Sequence, residues 1–470
     1  MANRLKLNLK TQPPVFITAI PCLVPIILHR QFFNDGEKQM DRPFAIDFEW
    51  LDRPTAEGVE RSAFSSLTVF VADQILTELE DLNSRTVRSS MRGSAYDLAV
   101  WLLQNWWRLV AEPERNTLDW KMSHCMGAIG QGFLWPEACF LSDSLEMTVH
   151  SFPTPRDSKQ MVRYLNEIHA QFPVDAFANE VFAFADAVIG RLQETGFSST
   201  PLHDLHRDLM LELTDPDMKR WRTVEALLGY DPDFAPEELV QEMIAKSDMY
   251  GSAAIDELIA FGGQEIRPIM NWLTEDASKA SISVIVPDND ILREQTSQID
   301  PSLLPWQRAE KAASMVKQHW SIAPAPVSTR QLTDLFSMKS DALTKADMKA
   351  PMSIGFRNGH VDHIDATLGS PIEVNRRFAL LRVVADHLYS SDLDRLLPVT
   401  TAKTARQKYQ RAFAQAFLCP ADQLIGFING DLTDEKIEDA ASYFNVSPLL
   451  VESTLVNKGV FRKKELSDLY

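Results

Sequence analysis

The chain predicts an α+β protein in which helix predominates. Three observations carry this reading. Short β-branched runs broken by proline stand near the N-terminus, and apolar residues recur at three- and four-residue spacing over most of the remaining chain. The third is length: 470 residues are too many for one ordinary hydrophobic core. The reading gives an N-terminal β-containing domain (1–155), a helical middle (156–280) and a C-terminal domain (281–470).

In the N-terminal domain, Val15–Ile20 and Leu23–Leu28 read as strands separated by Pro21. Phe44–Trp50 reads as a third, with Phe44, Ile46, Phe48 and Trp50 alternating onto one face. Phe64, Leu67, Val71, Ile75 and Leu79 fall at helical spacing and predict a helix. Residues 95–111 repeat that pattern with Trp101, Trp106 and Trp107 as a core stripe, and Glu112-Pro113-Glu114 ends it. Gly127, Gly130 and Gly132 do not follow the dinucleotide fingerprint and lack a Walker lysine, so they read as a tight turn. Ala138–Leu141 and Glu146–Phe152 read as two strands.

From Lys159 to about Leu273 the chain reads as helical, with Val181, Phe184, Val188 and Leu192 as one stripe. Met218–Leu228 is another, stopped by Gly229 as a C-cap. Prolines 287, 301 and 305 mark the junction to the C-terminal domain. There, Ile354 and Phe356 alternate ahead of Asn358-Gly359, a type I′ hairpin signal. Asp434–Val456 has a helix-turn-helix outline. Its second helix opens Pro448-Leu449-Leu450-Val451-Glu452, without side chains suited to base edges, so it reads as packing.

Composition narrows the function. Hydrophobic content of 45% and charged content of 24% are those of a folded globular protein. Sixty-five acidic against 47 basic residues give a net charge of −18, which disfavours direct nucleic-acid binding and suits a basic protein partner. The basic run Lys403, Arg406, Lys408, Arg411 reads as a solvated helix face, with Arg376, Arg377 and Arg382 as a second basic cluster. Cys22, Cys125, Cys139 and Cys419 show no paired spacing and read as reduced thiols. No signal peptide or membrane segment is expected, and the reading places the protein in the cytoplasm.

The most informative segment is 376–389, Arg-Arg-Phe-Ala-Leu-Leu-Arg-Val-Val-Ala-Asp-His-Leu-Tyr. A zinc peptidase helix carries His-Glu-x-x-His: two imidazoles one turn apart hold Zn²⁺, and the glutamate takes a proton from the metal-bound water. Here the apolar frame of Phe378, Leu380, Leu381, Val384 and Leu388 is present, but the chemical positions hold Arg382, Val383 and Asp386. A guanidinium does not ligate a metal, and valine takes no proton.

Four motifs in order resemble the ImmA/IrrE family of zinc peptidase-like proteins between about Leu304 and Phe461. They are Pro305–Trp320, Val327–Phe336 with the helix above, Phe413-Ala414-Gln415-Ala416-Phe417-Leu418-Cys419-Pro420, and Ile437 to Leu450 around Val446-Ser447. The Asn-Trp-Trp helix and the glycine block likewise resemble the N-terminal region of long bacterial and prophage members. The resemblance implies a gluzincin-like C-terminal domain whose third ligand is a glutamate shortly before Phe413. This chain has Gln407, Lys408, Tyr409, Gln410 and Arg411 there. It therefore implies a pseudopeptidase with no catalytic residues, no metal and no cofactor. Its cleft would engage a protein such as a toxin, nuclease or repressor, with Arg382 and Asp386 as partner-binding candidates pairing across one helical turn. Family members sit beside repressors and in phage-related loci, which suggests phage defence, toxin neutralisation or transcriptional control. The alternative is a hydrolase with an unrecognised or relocated metal site, drawing on His360, His363 and His387, with Asp386 alongside.

Overall fold

The computed structural model describes residues 42–460, except 53–56, 276, 278, 280, 324–325, 346–349 and 358–361. The strands expected before residue 42, Cys22, His360 and the Asn358-Gly359 turn lie outside the described residues. The fold is mixed α and β, with helix predominating and small antiparallel sheets.

Strand β1 (Phe44–Trp50) is followed by the short helix α1 (Gly58–Ser62) and β2 (Phe64–Val71), which pairs antiparallel with β1. Next come β3 (Gln74–Ile75), β4 (Leu79–Asp81), β5 (Thr86–Arg88) and β6 (Met91–Ser94). The helix expected over 64–79 is therefore corrected to strands. Along β2 the buried residues are Ser65, Leu67, Val69 and Val71, a period of two in a run rich in β-branched side chains. Of the spaced residues only Leu67 and Val71 belong to that alternation, Phe64 lies on the other face of β2, and Ile75 and Leu79 follow beyond turns.

Helices α2 (Ala95–Gln104) and α3 (Trp106–Ala111) bury Trp101, Trp106 and Trp107, as the stripe predicts. Helix α4 (Leu118–His124) leads into the glycine turn, where Gly130 and Gly132 take φ values of +64° and +79°. Strands β7 (Ala138–Ser142) and β8 (Glu146–Ser151) form the expected pair. Two strands replace the start of the expected helical stretch. The first, β9 (Val162–Tyr164), pairs with β4, and β10 (Ile168–Pro173) pairs with β8. Cys125 and Cys139 face each other across an isolated antiparallel bridge, Cα to Cα 4.0 Å, and are joined as a disulfide. This corrects the reading of free thiols. The pairing is made by a strand lying beside the chain that leaves α4, which sequence spacing does not record. Cys419 is buried and free.

Helices α5 (Val174–Glu194), α6 (Pro201–Thr214), α7 (Pro216–Leu228), α8 (Glu237–Tyr250), α9 (Ser252–Gly262) and α10 (Ile266–Glu275) follow. Val181, Phe184, Val188 and Leu192 of α5 are all buried, and Gly229 ends α7 in the left-handed conformation. One hydrophobic cluster runs from Phe44 through α5 and α6 to Ala226, crossing residue 155 without a break.

The remaining elements are β11 (Ile282–Ile285), α11 (Asn289–Ser297), α12 (Pro305–His319), α13 (Thr329–Leu335), β12 (Ser353–Arg357), β13 (His363–Thr367) and α14 (Glu373–Tyr389). They end with β14 (Leu396–Val399), α15 (Ala405–Leu418), α16 (Ala421–Ile428), α17 (Asp434–Phe444) and α18 (Pro448–Asn457). The antiparallel sheet β11-β13-β12-β14 includes the expected β12–β13 pairing. A second hydrophobic cluster fills the space between this sheet and helices α12 to α18. A third joins α7–α10 to the edge of the same sheet through Ile354 and Leu396.

Candidate functional site

Helix α14 is rich in Ala, Leu and Arg, which favour helix. It is not a surface helix: every side chain from Ala379 to Leu388 is buried. It packs against α15, α11, β12 and β14. The three positions matching zinc chemistry therefore face protein, and each is occupied.

Arg382 donates from Nη2 to the Thr400 carbonyl at 2.7 Å and to Gln407 Oε1 at 2.5 Å. Gln407 also accepts from the Thr400 amide at 2.9 Å and donates to the Pro398 carbonyl at 2.9 Å, tying α15 to the end of β14. Burial, with Arg411 nearby, pulls the Arg382 pKa below its ordinary range. Val383 is fully buried against β12. A Cβ added to Gly355 would lie 2.7 Å from Val383 Cγ1, so strand and helix touch without a gap at this point.

Asp386, fully buried, accepts two hydrogen bonds from Arg406 of α15, from Nε at 2.7 Å and Nη2 at 2.8 Å. The remaining Arg406 fork nitrogen, Nη1, meets Asp394 Oδ2 at 2.8 Å. Burial opposes the Arg406 charge, but Asp386 and Asp394 outweigh it and raise its pKa. Glu257 of α9 accepts from the Thr404 hydroxyl at 2.7 Å beside this triad, and burial pushes its carboxyl up to about 7.

These contacts correct three readings. Arg382 and Asp386 do not pair with each other, because Asp386 has both oxygens on Arg406. Neither is a partner-contact residue: Arg382 is 7% exposed and Asp386 0%. The basic run is no solvated face either. Arg406 is buried, Lys408 pairs with the buried Asp143 at 2.6 Å, and Lys403 meets Glu114. Arg376 and Arg377 are also buried, donating to backbone carbonyls of neighbouring segments.

Of the relocated-metal residues, His363 and His387 have separate partners. His387 Nδ1 on α14 accepts from Arg357 Nε of β12 at 3.0 Å. His363 shares a 2.8 Å hydrogen bond with Ser283 on the neighbouring strand β11. No group of three His, Cys, Asp or Glu side chains among the described residues is arranged to hold a metal ion. Arg406, Asp394 and Glu257 were not singled out from sequence. The signal for Arg406 was its position seven residues before Phe413 on the face that also carries Gln410 and Phe417.

A cleft of about 1140 Å³ lies between the β7–β8–β10 sheet and the C-terminal helices. Thr148, His150, His169 and Gln171 form its sheet wall, and Lys408 and Arg411 of α15 line it from the other side. No helix among the described residues is long and apolar enough to cross a membrane. Compared with protein-family models, curated proteins and solved structures, the chain matches none.

Proposed function

We propose that this chain is a pseudopeptidase: a non-catalytic regulatory protein that engages a protein partner. The reading rests on one observation. The positions that would carry two imidazoles and a carboxylate base hold Arg382, Val383 and Asp386, and each makes a buried internal contact. A cross-linked seam of this kind leaves no space for an activated water at those positions, so what remains useful is the shape and charge of the surface. The net charge of −18 favours a basic partner, such as a repressor, a toxin or a nuclease. The corresponding setting is control of such a protein in the bacterial cytoplasm, in phage defence, toxin neutralisation or transcription.

Affinity capture from the native host, followed by reconstitution of the purified pair, tests this. The expected result is a stoichiometric complex in which the partner stays intact through prolonged incubation, with or without added Zn²⁺. Cleavage of the partner by the purified chain would overturn the proposal.

A further inference from the structure

The cleft between the β7–β8–β10 sheet and the C-terminal helices is lined by none of Arg382, Val383 or Asp386, so it is separate from the seam at the middle of α14. Helix α15 runs along it: Lys408, Arg411, Ala412 and Gln415 share one face and all line it. The 14 residues of this helix are about 21 Å long. On the opposite sheet wall stand His150 and His169, whose rings touch edge to face at 4.3 Å between centroids. In a chain of net charge −18 the lining is locally positive, with five Lys and Arg side chains against three Asp and Glu. Three of the cations are neutralised: Lys403 by Glu114, Lys458 by Glu310, and Lys408 by Asp143. The third carboxylate of the lining, Asp422, is exposed in the first turn of α16.

Lys317 and Arg411 are unmatched. Among the described residues neither forms an ion pair. Lys317 donates to the Phe417 carbonyl at 3.1 Å, and both terminal nitrogens of Arg411 donate to the Ala402 carbonyl at 3.1 Å. Ala402 precedes α15 and Phe417 stands near its end, so the two charges lie at opposite ends of the helix. Each side chain is half-buried, and burial lowers both pKa values. A carboxylate brought to either end therefore meets a cation already stripped of part of its water.

We propose that this cleft holds an extended acidic segment of the protein partner, laid along α15 with one carboxylate at Arg411 and another at Lys317. This rests on the reading of the chain as a partner-binding protein and names the kind of segment it takes. An extended chain rises about 3.3 Å per residue, so about six residues cover the length of the helix. Hydroxyl and amide side chains of the lining, among them Thr148, Gln171, Ser314 and Gln423, suit the peptide groups of such a segment. Trp306 and Leu449, the latter 67% exposed, offer apolar contact to its side chains. Two unmatched cations at opposite ends of a helix do not make the continuous positive track that a nucleic-acid backbone requires. The negative outer surface attracts the basic body of the partner, and the cleft its acidic segment.

The test titrates the full-length chain against fluorescein-labelled hexaglutamate, read by fluorescence anisotropy, with labelled hexathymidylate as the comparison probe. The expected result is saturable binding of one hexaglutamate per chain. Lys317→Gln and Arg411→Gln should each weaken it by about tenfold, and both together by more. Ser314→Glu, at an exposed position in the lining, should keep the melting temperature of the parent and weaken binding by a similar factor, because it sets a like charge in the cleft. If Arg411→Gln does not fold, Lys317→Gln and Ser314→Glu decide. Absence of hexaglutamate binding, or binding unchanged in these variants, would overturn the proposal. So would hexathymidylate binding more tightly than hexaglutamate and weakening in the same variants. The assay needs no partner, so the two readings fail separately. A captured complex without hexaglutamate binding removes the cleft proposal alone, whereas cleavage of the captured partner removes the pseudopeptidase reading and leaves the hexaglutamate result standing.

Discussion

Replacing Asp386 by alanine separates a sealed seam from a working cleft. Asp386 is fully buried and gives both carboxylate oxygens to Arg406, at 2.7 and 2.8 Å. Arg406 is itself 8% exposed, and without Asp386 its charge keeps one carboxylate, Asp394 at 2.8 Å, and a long contact to the Leu396 carbonyl at 3.4 Å. Removing one member of a buried ion pair costs about 3–5 kcal/mol, because the remaining charge is left desolvated. In a unit of some 150–250 residues each kcal/mol moves the melting temperature by about 2–4 °C, so the expected fall is roughly 6–20 °C. Differential scanning calorimetry of Asp386→Ala reads it directly. Asp386→Asn, which retains one acceptor for Arg406, should fall less. Partner binding measured well below the melting point should be that of the parent, since the side chain does not reach the surface. A variant that melts within about 2 °C of the parent, less than the smallest shift this cost allows, or that keeps its melting temperature and loses the partner, refutes the reasoning.

Two further outcomes test the same region. Glu257 binds its proton more tightly in the folded chain, where its pKa is about 7 against an ordinary 4.5. Its contribution to stability is therefore full below about pH 4.5 and is lost as pH rises through about 7, a change of about 3 kcal/mol. Urea unfolding should show Glu257→Gln gaining on the parent between about pH 5 and pH 8, and a constant difference over that range would contradict the assignment. Gly251 caps α8 at φ +98°, and a Cβ there would lie 2.7 Å from the Asp394 Cα and 2.9 Å from the Leu393 carbonyl. Gly251→Ala should cost about 2–3 kcal/mol through strain at positive φ and displacement of Asp394, and an unaltered melting curve would rule this out.

Much of the fold was legible because one physical signal dominated each segment. The tryptophan stripe of α2–α3, the apolar stripe of α5, the glycine stop at Gly229 and the β12–β13 pairing each rest on a local pattern that tertiary contacts reinforce. The failure at 64–79 has a definite cause. Phe64, Leu67 and Val71 satisfy helical spacing, yet Ser65 and Val69 are the residues that complete the buried set, and a serine is not counted when apolar positions are sought. The contacts of the candidate site were not legible. Arg382 and Asp386 stand on one helix, whereas Gln407 and Arg406, which bond them, come from another helix across a strand. The disulfide and the His150–His169 contact were missed for the same reason: both are relations across strands, set by register rather than by sequence distance.

Helix α15 holds α14 in place through side-chain hydrogen bonds. In the resemblance this helix brings the third ligand to the metal. Here Gln407 and Arg406 cross-link it to α14 through hydrogen bonds instead. Its first turn also gathers the rest of the molecule. The Ala405 amide donates to the Asp143 carbonyl at 3.1 Å, Lys408 pairs with the Asp143 side chain, and Thr404 donates to Glu257 of α9. The β7–β8 turn, the middle helices and α14 thus meet on one short stretch of chain. A buried polar network is highly directional, since each donor fits few acceptors and an unmet one costs about 1–3 kcal/mol. That directionality fixes how the sheet wall of the cleft stands against the C-terminal helices. The buried polar residues of this seam therefore have a physical role of their own, which is to hold these elements in one arrangement against each other.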